Sequence, residues 1–150
     1  MKLDSITKLA EIVASVAVIV SLVILIHEIQ ENTETAKRTT YENLSTKIID
    51  WRMARVVDAD FFKLYYEETS QHEWSLEGED RERFIAYIES LWQVYEQAHY
   101  AYRSGDLGRD EWERFERWIC SDTTPEHAWE RVKNIMSEPF VEFVDNCRAR

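Results

Sequence analysis

The chain has 150 residues, with 18 Lys and Arg against 29 Asp and Glu and a formal net charge of −11. That balance excludes nucleic acid as a partner, because such binding draws on cations that neutralise phosphates. Three Gly and two Pro leave little for phosphate-cradling loops, and two Cys predict neither a disulfide framework nor a cysteine-rich zinc site.

The N-terminus dominates the organisation. Ile12 to Ile26 reads IVASVAVIVSLVILI, fifteen residues without a charge. Extended to Leu9 and Ile29 it covers 21 positions, with Glu11, His27 and Glu28 near its edges. At 1.5 Å per residue that is roughly 31 Å, close to the hydrocarbon thickness of a bilayer. A soluble core helix is seldom apolar on every face. A cleavable signal peptide would share the positive start at Lys2 and Lys8. It would also need an acid-free start and a small-x-small cleavage site, whereas Asp4 and Glu11 interrupt the first and Leu25-Ile26-His27-Glu28 replaces the second. The reading is an uncleaved single-pass anchor at 1–29, in contact with membrane lipid, followed by an acidic domain at 30–150.

Ala10, Ala14, Ala17 and Ser21 recur at spacings of four, three and four, which puts small side chains on one face. Another helix backbone can approach closely there, so the spacing predicts packing between copies in the membrane. Glu11 and His27 lie near opposite ends of the span and are the candidate ion-path ring, should copies enclose a pore. Orientation is close to a tie by the positive-inside rule: Lys2 and Lys8 precede the span, and Lys37 and Arg38 follow it.

Beyond the span, no Gly or Pro occurs from Gln30 to Asp60, and Tyr41, Leu44, Ile48 and Trp51 fall at spacings of three, four and three. These predict the anchor helix continuing through 30–58, with this stripe as its packing face outside the membrane. A short helix after Asp60 carries Phe61, Phe62, Leu64, Tyr65 and Tyr66, and Thr69 to Asp80 reads as a loop with Ser75 as N-cap. The next helix, about Glu79 to Arg103, shows one stripe of Phe84, Ile88, Leu91, Tyr95, Ala98 and Tyr102, closed by Gly105. Asp110 is the expected cap of a helix bearing Trp112, Phe115, Trp118 and Ile119. Thr124-Pro125-Glu126 and Ser137-Glu138-Pro139 are start signals for two more. No period-two strand pattern appears, so the fold class is all-α: a long N-terminal helix and a compact, aromatic-rich helical bundle.

Chemistry-bearing patterns are few. Glu96-Gln97-Ala98-His99 is a Glu-x-x-His on a helix, but di-iron bundles use two such motifs and further carboxylates. Glu96 is expected to hydrogen-bond across the bundle, with His99 beside Trp92. Cys120 and Cys147 read as small packed side chains. The turn from Arg103 to Asp110 lacks the remaining ligands of a calcium loop. No cofactor, metal site or catalytic residue is predicted.

From Phe84 to Phe143 the pattern is similar to that of a group of small uncharacterised bacterial membrane-anchored helical proteins, of the domain-of-unknown-function type. The residues that carry the resemblance are Glu96, Tyr100 and Tyr102, then Gly105-Asp106-Leu107, then Trp112, Trp118 and Trp129, then Ser137-Glu138-Pro139-Phe140. The resemblance implies a bacterial inner membrane and brings no activity with it. The expected function is that of a homo-oligomeric interaction or scaffold component, with an unidentified protein as a further candidate partner and no enzymatic activity. The alternatives are a homo-oligomeric channel subunit and a cofactor- or lipid-binding bundle.

Overall fold

In the computed structural model the backbone is described for residues 2–149, and side chains for residue 8 and for 11–149. Six α-helices and one 3-10 turn follow one another without a strand among the described residues: α1 (Lys2–Val57), α2 (Ala59–Thr69), α3 (Gly78–Ser104), α4 (Arg109–Cys120), α5 (Glu126–Val132) and α6 (Glu138–Arg148). The all-α class and the long first helix are as the periodicity predicts. The chain divides into two units, Met1–Lys37 and Arg38–Arg150.

The first unit is helical throughout its described length. Ile12, Val16, Ile19, Val23 and Ile26 are each more than half exposed, and so are Val13, Val18, Val20, Leu22 and Ile24 on the other faces. Hydroxyls in this segment bond back to their own helix, Ser15 Oγ to the Glu11 carbonyl at 2.8 Å and Ser21 Oγ to that of Ala17 at 2.9 Å.

In the second unit the core is built around α3. Phe84, Ile88, Trp92 and Ala98 are fully buried, and they meet Phe115 and Ile119 of α4, Ala128, Trp129 and Val132 of α5, and Phe140 and Val144 of α6. The apolar stripe read from the sequence is thus the surface on which the later helices pack. Trp92 and Trp129 lie 4.6 Å apart between ring centres. The end of α1 is clasped to α3 by a reciprocal pair: the Trp51 indole N–H donates to the Tyr87 carbonyl and the Tyr87 hydroxyl to the Trp51 carbonyl, each at 2.8 Å, with the rings stacked at 4.4 Å.

Helix ends follow local chemistry, with informative departures. Gly105 closes α3 in the left-handed region at φ 85°, and the next two amides bond back to the Ala101 carbonyl at 2.8 and 3.1 Å. Asp58 caps α2, its carboxylate accepting from the Phe61 amide at 2.9 Å. Ser75 is not a cap: α3 starts two residues beyond Glu77's predecessor, with Glu77 in the cap position, and the Ser75 hydroxyl donates to Glu68 instead. Asp110 sits inside the first turn of α4, whose cap position is Gly108. Thr124 does not cap α5 either. Its hydroxyl accepts from the buried Trp92 indole at 3.3 Å, and Pro125 occupies the cap position. In both cases a buried partner elsewhere in the fold claims the hydroxyl.

Candidate functional site

Three places in the chain have the chemistry to act: the apolar first segment, a groove beside α3, and the polar clusters that bind the bundle together. The first holds a helix long and apolar enough to cross a membrane by length and composition, with a mean hydropathy of 2.6 over an 18-residue window and none of that window buried. Ala14, Ala17 and Ser21 are exposed along it. Ala10 lies outside the residues whose side chains are described. Because Ser21 bonds its own helix, any contact on this face rests on close packing of small side chains. Glu11 and His27 are exposed, and the His27 imidazole is 3.6 Å from the Glu31 carboxylate one turn on.

The second stripe has a different fate from the one expected of an inter-copy surface. Leu44 and Ile48 are only 4% and 2% exposed, and Tyr41 and Trp51 pack half-buried against the same core. The Tyr41 ring meets Phe115 edge-on at 6.3 Å, and its hydroxyl accepts from Arg114 at 2.9 Å. All four side chains therefore hold α1 to the chain's own bundle, and the apolar periodicity reports intramolecular packing.

Glu96 and His99 separate in role. The Glu96 carboxylate accepts from the Ser137 amide at 2.6 Å, the cross-bundle bond expected of it. His99 stacks on Phe143 at 5.1 Å and neighbours Phe140 and Trp112 at 5.5 and 5.6 Å, so it lies among these three rings where the sequence suggested Trp92. Burial among these rings pulls its pKa below the usual histidine range, and the Arg103 charge adds to the effect. No group of three or more His, Cys, Asp or Glu suited to a metal ion occurs among the described residues. Beside this pair lies a groove of about 910 Å³, bordered by Leu44 and Lys47 of α1, by Glu96, His99, Tyr100 and Arg103 of α3, and by Ser137 and Pro139.

Two arrangements were not legible from spacing. Glu68 is completely buried, and its carboxylate receives the Ser75 hydroxyl at 2.5 Å, the Ser75 amide at 3.2 Å and the His127 Nε2 at 3.1 Å. His127 Nδ1 faces the His72 carbonyl at 3.2 Å, and Trp74 packs edge-on against the imidazole at 4.4 Å. The cluster ties the loop before α3 to α5. The Ser75 hydroxyl donates to the carboxylate and makes no hydrogen bond to His127 among the described residues.

Cys120 and Cys147 form a disulfide between the ends of α4 and α6, with a Cα–Cα distance of 5.0 Å. This corrects the expectation of two packed, unlinked thiols. Their helix ends converge because Trp112, Phe115 and Ile119 on α4 and Phe140 and Val144 on α6 share one core. Arg148, the next residue, reaches over Trp92 and Trp129 and bonds Glu126 at 3.0 Å and the Thr124 carbonyl at 2.9 Å. No family model, curated protein or solved structure matches the chain.

Proposed function

We propose that the chain is a single-pass membrane protein whose acidic helical domain is tethered through residues 11–29 and acts by association, as a homo-oligomeric interaction or scaffold component and not as an enzyme. The observation that carries this reading is the apolar window with none of its residues covered by the chain itself. Leaving a large aliphatic side chain in water costs about 1.5–3 kcal/mol relative to burial, so a segment apolar all round needs lipid or other helices around it. Ala14, Ala17 and Ser21 give one face on which a second copy's backbone can come close. Confinement to a bilayer raises the effective concentration of copies, so modest helix contacts suffice.

The cystine supports one orientation. Disulfides persist in oxidising compartments and are rare in reducing cytosol. The helical domain then lies outside the cytoplasm, with Lys2 and Lys8 on the cytoplasmic side, and the disulfide decides between two orientations that the positive-inside rule leaves nearly level. A bacterial inner membrane, as the resemblance implies, provides both faces.

Crosslinking in native membranes tests the association. Ala14→Ile combined with Ala17→Ile should lower the order of the crosslinked species by closing the small-residue face to another backbone. An unchanged distribution would show that this face does not mediate contact.

A further inference from the structure

The groove beside α3 carries a reading that the membrane anchor does not. It is lined by Leu44 and Tyr100, an aliphatic and an aromatic side chain, and by two cations, Lys47 and Arg103. Its volume, about 910 Å³, is in the range of small-molecule sites, roughly 300–1,000 Å³. Within a chain of net charge −11, a concavity with two cations is a local inversion of sign. Neither cation is neutralised by a carboxylate: the Lys47 ammonium donates to the neutral Gln97 amide oxygen at 2.7 Å, and Arg103 makes no ion pair among the described residues. The one acid in the lining, Glu96, already accepts the Ser137 amide. His99 completes the wall. Its ring is fixed by stacking on Phe143, and its nitrogens have no hydrogen-bond partner among the described residues.

We propose that this groove binds a small organic anion with an apolar body, its carboxylate placed between Lys47 and Arg103 and its ring or chain laid against Tyr100 and Leu44. The guanidinium supplies a planar pair of donors for two carboxylate oxygens, and the ammonium adds a point charge. The apolar body is held by removing its surface and that of the walls from water.

The test uses the full chain in lipid nanodiscs, titrated calorimetrically with 1-naphthoate, with empty nanodiscs as the blank for partition into lipid. Saturable binding is expected, about tenfold weaker for neutral 1-naphthalenemethanol, which has the same ring without the charge. Arg103→Gln and Lys47→Gln should each weaken naphthoate by about tenfold, while Arg109→Gln, outside the groove lining and paired with Glu113, leaves it unchanged. Arg103 and Lys47 are exposed, so both variants should fold, and matching helical signals by circular dichroism confirm it. Equal affinity for acid and alcohol, indifference to both substitutions, or no saturation up to about 10 mM would each overturn the proposal. None of these outcomes bears on the oligomer, which is read by crosslinking.

Discussion

A carboxyl group without solvent contact needs its hydrogen-bond partners inside the protein, and Glu68 finds them in His127 and Ser75. Removing the imidazole leaves Glu68 buried with serine alone. His127→Ala should therefore lower the unfolding free energy by about 3–5 kcal/mol, measured by urea titration. Replacing both partners with apolar residues, Glu68→Met with His127→Leu, should recover most of that loss. If the double variant is as unstable as the single one, the cluster's importance lies in shape and not in charge. His99 gives a pH signature. Its pKa is lowered on folding, so between that lowered value and about 6.5 the unfolded chain binds more protons than the native one. Stability is then whole above that window and falls as pH drops through it. His99→Phe should flatten this slope in the pH dependence of the denaturation midpoint, and an unchanged slope would contradict the assignment. Residues of this kind were the least legible in the sequence. A serine shortly before a helix reads as a cap by local rules, and only the fold shows that a carboxylate seven residues back takes its hydroxyl.

At the scale of elements, stripes and stops were the readable features. The α3 stripe is spaced for one face, and Gly105 marks its end because a left-handed residue there carries no Cβ penalty. Gly105→Ala should cost about 1 kcal/mol in the same titration. What periodicity does not say is which surface a stripe meets. Tyr41, Leu44, Ile48 and Trp51 satisfy the helical pattern equally well whether they face another copy or the chain's own α3 and α4, and the structure shows the latter. The link from α4 to α6 was hidden for a similar reason: two cysteines 27 residues apart are brought together by aromatic packing between helices. Closing a loop of that length stabilises by about 3–4 kcal/mol in the chain-entropy picture. Cys120→Ala with Cys147→Ala should lose that amount, and reductant should lower the wild type towards the double variant without affecting the variant itself. A wild type indifferent to reductant would show that the bridge adds little.

For the whole molecule, the decisive contrast is between two kinds of apolar surface. In the second unit, large side chains such as Trp92, Trp129 and Phe115 are fully buried. In the first, aliphatic side chains are exposed on every face over an uncharged run. Composition alone conveyed this contrast, because a continuous apolar run needs no knowledge of long-range contacts to be recognised. The groove, by comparison, draws Lys47 from α1 and Arg103 from α3, residues that no local pattern connects. Tethering is the premise on which oligomer and orientation both rest. The most direct measurement is the intact mass of the protein recovered from carbonate-washed membranes. The expected result is the full 17.9 kDa chain in the membrane pellet. Recovery in the soluble fraction, either whole or beginning just after Ile26, would contradict it.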